Sequence, residues 1–321
     1  MPDNTYAAID IGTNTFRLLI ANIHYDPTNK SYSIKEVCSQ RVITRLGTGI
    51  TADGLISDSS MKNGLDALKA FSIIIAENNV AKTSAVATSA LRDAKNSEDF
   101  IIKAKEISGL DIQIISGHNE ARLTAAGMMF DIDVPDEAML IDIGGGSTEL
   151  VYANKGVPAQ LQSLPLGVVY LASKYMTDDP PSPDMISEME REIDEVITKE
   201  TALFDQIADN RFSLIGTAGT ITALAAMYLN LRSYDQSKIH KTRISAESMR
   251  DIFSRIALVS AAERSRHIHF EPERLDIIVP GTLILLKLME RFKADEILVS
   301  NYGLREGIIL ELYNADEKKD R

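Results

Sequence analysis

Residues 141–149 read IDIGGGSTE, and residues 9–15 read IDIGTNT. In both stretches an apolar run typical of a β-strand ends in an aspartate, and a turn of glycine and small polar residues follows at once. Glycine accepts positive φ angles and lets backbone N–H groups approach a ligand, because no Cβ stands in the way. Successive N–H groups in such a turn form a concavity that binds anions. The two stretches therefore predict two phosphate-binding loops.

A tight β-hairpin is the alternative explanation for either turn. A hairpin needs only one or two glycines, however, and the three consecutive glycines of the second stretch lose backbone entropy on folding without improving the packing. The aspartates of the two stretches, Asp10 and Asp142, lie 142 − 10 = 132 residues apart. A second occurrence after an identical IDIG favours a duplicated phosphate site over two unrelated hairpins.

Each stretch supplies the groups that a bound phosphate needs. The loop residues expected to contact phosphate are Gly12, Thr13, Asn14, Thr15, Gly144, Gly145, Gly146, Ser147 and Thr148. The carboxylate at the end of each strand is placed to hold a divalent cation beside that phosphate. Asp142 is a candidate metal ligand on this ground, and Asp10 is a further candidate.

The pattern of predicted elements also occurs twice. Three strands, a helix, a strand and a helix follow one another in the first part of the chain, and the order restarts near residue 138. The second copy carries helical insertions around residues 183–208 and 244–276. Repetition over this length indicates duplicated domains and not a solenoid. We therefore expect an α/β protein with two domains, each built on a mixed five-stranded sheet.

The composition narrows the class of protein. The 321 residues suit two domains, and 45% hydrophobic with 25% charged residues is ordinary for a globular chain. The formal charge of 34 − 46 = −12 disfavours general binding to nucleic acid. The single cysteine, Cys38, excludes a disulfide framework, and the sequence shows neither a signal peptide nor an apolar run long enough for a membrane span. We expect a cytoplasmic protein that binds neither nucleic acid nor a membrane.

Two polar residues near helix starts are candidates for catalysis. Glu120, in ISGHNEARL, falls in the first turn of a predicted helix. Acidic residues favour helix N-termini for electrostatic reasons alone, but its place between the two loops also suits a base that draws a proton from water. Arg92, in ATSALRDAKN, is either a solvated arginine or a residue whose guanidinium donates hydrogen bonds to phosphate oxygens. Both alternatives stay open for each residue.

Residues 216–224, GTAGTITAL, form a third junction of a strand, glycine and hydroxyl residues, and a helix. Gly219 and Thr220 can face an anion there, because N–H groups at a helix N-terminus attract negative charge. Close packing of the helix on its sheet is the alternative.

Two basic stretches, residues 232–243 and 264–274, are the positive clusters of this acidic chain. Each stretch is either part of the solvated surface or a positive patch that attracts the tail of a polyanionic ligand. His267 and His269 alternate in the second stretch without carboxylates at a suitable spacing, so we expect no metal site there.

Taken together in this order, the motifs closely resemble the family of exopolyphosphatases and guanosine pentaphosphate phosphohydrolases (Ppx/GppA). The resemblance covers nearly the whole chain and runs through AIDIGTNTFRLLI, ATSALRDAKN, ISGHNEARL, LIDIGGGSTELVY, SLPLGVV, GTAGTITAL and GLREGII. It implies two ribonuclease-H-like domains of the actin-like, sugar-kinase and heat-shock-chaperone superfamily, with an interdomain cleft. We expect a first domain of residues 1–120 with a C-terminal helix at about 300–321, and a second domain of residues 121–299. Domains that meet at a ligand commonly hinge at element ends, here near Gly117 and Ser300.

The resemblance also implies roles for individual residues. Glu120 corresponds to the catalytic base, and Arg92 to an arginine near the phosphate. Asp142 and Glu149 correspond to carboxylates that bind Mg²⁺, or another divalent cation, near the scissile phosphate. The chain departs from many members at Asn119, where they have a second glutamate, so Glu120 is the only carboxylate at that place. In the first loop TNT replaces a frequent SNS and keeps both hydroxyls.

The expected function is a magnesium-dependent hydrolase that releases terminal orthophosphate from inorganic polyphosphate or the 5′-terminal phosphate of guanosine pentaphosphate. The resemblance is to short, two-domain members, for which processive digestion of very long chains is not expected. Two alternatives stay open: a non-catalytic sensor of guanosine tetra- or pentaphosphate, and a kinase of the same superfamily. The sequence does not rank the two substrates, and a homodimer is also left open.

Overall fold

The computed structural model of the chain describes residues 5–26, 28, 31–47, 50, 53–207, 212–268 and 271–318. The described residues form two compact units. The first unit lies within Met1–Asp131 and Tyr302–Arg321, and the second within Ile132–Asn301. His269, which we considered as a metal ligand, lies outside the described residues.

The first unit is a five-stranded sheet with helices on both faces. Its strands follow the order β3-β2-β1-β4-β5. They are β1 (Thr5–Ile11), β2 (Thr15–Asp26), β3 (Ser31–Ile43), β4 (Lys82–Ala87) and β5 (Ile112–Ile114). Its helices are α1 (Asp58–Glu77), α2 (Ser89–Asp93), α3 (Ser97–Ser108), α4 (Gly117–Met129) and α12 (Leu304–Glu317). Strands β1, β2 and β3 are antiparallel, whereas β4 and β5 run parallel to β1, so the sheet is mixed as expected.

The second unit repeats this plan and adds to it. Its strands are β6 (Glu137–Ile143), β7 (Thr148–Asn154), β8 (Val157–Leu164), β9 (Ser213–Thr217), β10 (Arg243–Ser245) and β11 (Glu296–Val299). Its helices are α5 (Val168–Tyr175), α6 (Pro183–Glu200), α7 (Ala218–Tyr228), α8 (Gln236–Ile239), α9 (Ala246–Ile256), α10 (Ala261–Arg264) and α11 (Ile278–Arg291). Two 3₁₀ turns, Ala202–Phe204 and Pro272–Arg274, complete the described elements.

The second sheet has the order β10-β11-β9-β6-β7-β8 among the described residues, so the expected count of five strands is wrong for this unit. The extra strand, β10, is only three residues long and pairs antiparallel with β11 at the sheet edge. Its sequence, RIS, is too short to give an alternating pattern, which is why we did not predict it.

The helix α4 belongs to the first unit, whereas we expected the second domain to begin at residue 121. The reason is its packing on α12, which brings the two helices together within the first unit. A Cβ on Gly307 would lie 1.9 Å from the carbonyl oxygen of Leu123, and a Cβ on Gly127 would lie 2.0 Å from that of Gly303. Only glycine allows so close an approach of the two backbones.

Helices cover both faces of the first sheet, and β1 is therefore buried on both sides. Ile9 packs in a cluster with Leu68 of α1 and Phe100 of α3. Ala8 packs in a second cluster with Ile308 of α12. Side chains alternate along a strand, so Asp10 at the end of β1 lies on the face that α12 covers.

Helix starts follow the expected capping chemistry. Ser57 caps α1 by accepting a hydrogen bond from the N–H of Ser60, and Ser116 caps α4 by accepting from that of Asn119. A serine at this position satisfies a donor that the helix itself leaves unpaired. None of the described helices is long and apolar enough to cross a membrane.

Replacement of Gly307 by alanine tests the α4–α12 contact. Alanine favours a helix interior over glycine by about 0.5–1 kcal/mol, but an overpacked contact costs about 1–3 kcal/mol. We therefore expect Gly307→Ala to lower the melting temperature measured by circular dichroism. Asn314→Ala, at an exposed position of α12, is the matched control and should leave the melting temperature unchanged or raise it. A melting temperature of Gly307→Ala at or above that of the wild type contradicts the contact.

Candidate active site

Each unit carries its own set of predicted site residues, and both glycine loops join the first two strands of their sheets. The N–H of Gly144 donates to the carbonyl oxygen of Ser147 at 2.9 Å, and that of Gly12 donates to the carbonyl oxygen of Thr15 at 3.3 Å. The loops are thus tight hairpin turns with the same closing hydrogen bond. The hairpin explanation and the phosphate-loop explanation are therefore compatible.

The orientation of the second loop is fixed by the start of α5. The N–H groups of Val168 and Val169 donate to the carbonyl oxygens of Gly144 and Gly145, at 3.2 and 2.9 Å. In a planar trans peptide the N–H points opposite to the carbonyl. The N–H groups of Gly145 and Gly146 consequently point away from α5, and no backbone carbonyl among the described residues accepts from them. Outward-pointing N–H groups are what an anion site requires.

The hydroxyls of the second loop do not all face outward. Thr148 has no exposed surface, and its hydroxyl donates to the carbonyl oxygen of Leu166 at 2.6 Å. This geometry gives no support to phosphate contact by the Thr148 side chain, which instead braces the loop. Ser147 is buried as well, with 5% of its surface exposed.

The first loop is held in a similar way by residues 44–47. The carbonyl oxygen of Asn14 accepts from the N–H groups of Thr44 and Arg45, at 3.1 and 2.9 Å. That of Thr13 accepts from the N–H of Gly47 at 2.7 Å, and the Thr13 hydroxyl lies 2.7 Å from the hydroxyl of Ser89. The Thr13 side chain therefore anchors the loop to the start of α2.

The two candidate metal ligands of the second unit stand side by side. Asp142 at the end of β6 is directly opposite Glu149 on β7, so both carboxylates project from the same face of the sheet. Glu149 is 2% exposed, and its Oε1 accepts a hydrogen bond from the hydroxyl of Ser163 at 2.8 Å. Ser163 was not predicted as a site residue, because only the pairing of β7 with β8 brings it to Glu149.

Two carboxylates are a suitable donor set for a hard cation. Mg²⁺ keeps several waters and is commonly held by one or two protein carboxylates together with substrate phosphates. Within the described residues no group of three or more His, Cys, Asp or Glu side chains is placed to hold a metal ion. Asp142 and Glu149 therefore fit an ion of the magnesium type, and they do not fit one that demands a complete protein cage.

Asp10 has a different environment from Asp142. Its neighbour across the ladder is Arg17, where Asp142 faces Glu149. Burial raises the pKa of Asp10, while the positive charges of Arg17 and Arg305 act to lower it and the charge of Glu306 raises it again. Metal binding by Asp10 stays a prediction, and its arginine neighbour does not favour it.

Glu120 and Arg92 lie together in the first unit. Glu120 is in the first turn of α4 and its side chain is 11% exposed. An Nη1 of Arg92 is 3.4 Å from Oε2 of Glu120 and donates to the carbonyl oxygen of Ile115 at 3.0 Å. The arginine therefore ties the carboxylate to the loop that precedes α4, which the sequence did not indicate.

The start of α7 in the second unit has an arginine that the sequence analysis did not single out. Gly219 and Thr220 are buried, and a Cβ on Gly219 would lie 2.0 Å from Nη2 of Arg274. Arg274 is buried and forms an ion pair with Glu271 at 2.5 Å. The preceding residue, Ala218, has φ 71°, an uncommon value for alanine. A guanidinium thus covers the N-terminal turn of α7, and the spacing Glu-x-x-Arg was the only signal for it.

Three other basic residues of the two stretches have structural partners. Arg264 is 2% exposed and donates to the carbonyl oxygens of Ile256, Val259 and Leu275. In the stretch 232–243, Lys238 pairs with Asp235 at 3.3 Å, and Arg243 pairs with Glu296. Because carboxylates already pair with Lys238 and Arg243, these two residues favour a solvated surface over a site for a polyanionic tail.

Comparisons with known proteins bear on the whole chain. The family model described as the Ppx/GppA phosphatase family matches residues 26–315. The bifunctional 3-dehydroquinate synthase/phosphatase of Fusobacterium nucleatum is 30% identical over 310 residues, which cover 95% of this chain and 46% of that protein. The chain thus spans less than half the length of that relative.

Two further relatives match over nearly their full length. Exopolyphosphatase 2 of Mycobacterium tuberculosis is 28% identical over 316 residues, which cover 95% of this chain and 98% of that protein. The crystal structure of an exopolyphosphatase from Cytophaga hutchinsonii gives a TM-score of 0.87 at 27% identity and covers 97% of this chain and 98% of that one. This likeness and the two mixed α/β units confirm the expected fold class.

Gly167→Ala tests whether the start of α5 shapes the second loop. A Cβ on Gly167 would lie 2.3 Å from Cα of Gly146, so the loop must move. Misplacement by about 1 Å can cost on the order of 100-fold in rate, and we expect a loss of about 10-fold or more in affinity for tripolyphosphate by calorimetry.

Gly156→Ala is the matched control in the same unit. Gly156 has φ 71°, and a Cβ added there would have no heavy atom within 4 Å, so alanine strains the backbone without touching the loop. This variant should lose some stability and keep its affinity for tripolyphosphate. Equal affinities in Gly167→Ala and the wild type contradict a role for α5 in shaping the loop.

Proposed function

Because the chain belongs to the Ppx/GppA phosphatase family, we propose that it hydrolyses the terminal phosphoanhydride bond of inorganic polyphosphate or of guanosine pentaphosphate. The observation that carries the proposal is the buried Glu120 held by Arg92 at 3.4 Å. A carboxylate in a fixed orientation is what activation of a water molecule requires. The exopolyphosphatase names of two relatives support polyphosphate as the substrate.

In the proposed reaction Glu120 accepts a proton from a water molecule while the water oxygen attacks the terminal phosphorus. The bond from phosphorus to the bridging oxygen breaks, and the bridging oxygen leaves with the electron pair on the shortened chain. The products are orthophosphate and a chain one phosphate shorter. Arg92 does not exchange a proton in this scheme and serves to orient the Glu120 carboxylate. Positioning and charge stabilisation supply most of the catalysis in phosphoryl transfer generally.

Backbone N–H groups are the proposed phosphate ligands. Those of Gly145 and Gly146 point away from α5, which supports their proposed role as donors to phosphoryl oxygens. The N-terminus of α7 in the same unit is a further region of positive partial charge, which suits a polyanionic substrate. Such local donors are needed because the chain as a whole carries a formal charge of −12.

Asp142 and Glu149 are the residues proposed to hold a divalent cation. When bound, Mg²⁺ neutralises negative charge on the phosphoryl oxygens and so favours the approach of a nucleophile. The protein's part is to present the two carboxylates on one sheet face, which their direct pairing across β6 and β7 ensures.

Glu120→Gln tests the proposed base. The amide is isosteric but cannot accept the proton from water, and general base catalysis contributes about 10²–10⁴-fold to a rate. We expect kcat to fall by about that factor with a nearly unchanged Kd for tripolyphosphate. Glu98→Gln, in the first turn of the exposed start of α3, is the matched control and should keep full activity. Normal turnover by Glu120→Gln would falsify the assignment.

A comparison of substrates tests the reaction itself. We expect Mg²⁺-dependent release of orthophosphate from long polyphosphate, tripolyphosphate or guanosine pentaphosphate, and the relative kcat/KM values identify the preferred substrate. Tight binding of guanosine pentaphosphate without phosphate release from any of the three would instead indicate a sensor. Transfer of phosphate to an alcohol acceptor would indicate a kinase.

A further inference from the structure

Four polar side chains form a row across four neighbouring strands of the second sheet. Asp142 on β6 is directly opposite Glu149 on β7 and, on its other side, Thr217 on β9. Glu149 is in turn directly opposite Ser163 on β8. Residues paired in this way project from the same face of a sheet. The row therefore reads hydroxyl, carboxylate, carboxylate, hydroxyl.

The two carboxylates at the centre of this row, those of Asp142 and Glu149, lie directly opposite each other, and Glu149 is shielded from solvent. Glu149 is 2% exposed, and like charges directly opposite on neighbouring strands are destabilising. Burial of a carboxylate is costly unless hydrogen bonds or a counter-charge compensate. The hydroxyl of Ser163, 2.8 Å from Oε1 of Glu149, supplies one hydrogen bond. This hydrogen bond fixes the orientation of the Glu149 carboxylate beside Asp142.

The corresponding row of the first unit is built differently. Asp10 on β1 is opposite Arg17 on β2, and Arg17 is opposite Arg41 on β3. Arginines thus occupy the places that correspond to Glu149 and Ser163 in the duplicated plan. The carboxylate of the first row has arginines as its register neighbours, whereas the two carboxylates of the second row lie beside each other and between two hydroxyl residues.

We infer that Ser163 is a positioning residue that orients the Glu149 carboxylate for a divalent cation. The inference rests on the proposed function, which places the cation at Asp142 and Glu149. Hydrogen bonds to ligating carboxylates fix their orientation, and their loss typically lowers metal affinity by about 10–100-fold. Donation to Oε1 restrains rotation of the carboxylate, so that less ordering is required when the metal binds.

The test is a titration of the whole protein with Mn²⁺, followed by electron paramagnetic resonance without any substrate. Ser163→Ala is expected to weaken Mn²⁺ binding by about 10-fold or more. Ser163→Thr keeps the hydroxyl and should bind within about threefold of the wild type.

Ser173→Ala is the matched control for loss of a serine hydroxyl in this unit. Ser173 is on α5 and its hydroxyl donates to the carbonyl oxygen of Tyr170, so its loss should not change Mn²⁺ affinity. Melting temperatures without metal are recorded for all variants. Similar values for Ser163→Ala and the wild type assign the loss of affinity to the metal site and not to unfolding.

Three results would overturn the inference. They are wild-type Mn²⁺ affinity in Ser163→Ala, equal weakening in Ser163→Ala and Ser163→Thr, and a wild-type protein that binds no Mn²⁺. Phosphate release measured on the same samples separates that case from failure of the proposed function, since a hydrolase that works without metal would still release phosphate.

Discussion

The structure depends on hydrogen bonds that hold the carbonyl groups of two glycine loops. Glycine residues alone would leave such turns free to adopt many conformations. In the second unit, N–H groups at the start of α5 donate hydrogen bonds to the carbonyl oxygens of Gly144 and Gly145. In the first unit, N–H groups of residues 44–47 donate to the carbonyl oxygens of Thr13 and Asn14. Because the peptide group is planar and rigid, a hydrogen bond that fixes the orientation of its carbonyl also fixes the orientation of its N–H. The neighbouring segments therefore hold the N–H groups of otherwise flexible turns in defined directions.

The two units share one plan and have diverged in charge. The strand that ends in an aspartate, the hairpin and the next strand occur in both, with the same closing hydrogen bond. Across the ladder, however, Asp10 meets Arg17 and Asp142 meets Glu149. The next residue across each sheet also differs, since Arg41 of the first unit corresponds to Ser163 of the second. The two units therefore share the backbone plan of strand, hairpin and strand, and they differ in the charge of the side chain opposite the strand-end aspartate.

Much of the fold could be predicted from the sequence, because strands, turns and helix caps are encoded locally. The IDIG stretches and the first-turn position of Glu120 are of this kind. Contacts over long sequence distances could not be predicted. Arg92 meets Glu120 from 28 residues away, and Ser163 meets Glu149 only through the pairing of two strands. The contact of the Arg274 guanidinium with Gly219 depends on the path of a loop, and no periodic pattern in the sequence predicts that path.

The close contact of α4 with α12 has a consequence for the order in which the chain can fold as it is synthesised. The helix α12 comes from residues 304–317, yet it covers a face of the sheet whose strands begin at Thr5. During synthesis one face of the first sheet therefore stays incompletely covered until the whole second unit has been made. Of the two units, the one whose synthesis begins first is thus the last to be completed. The second unit, which is continuous in sequence, can fold in the meantime and shorten the effective loop that this late closure must bridge.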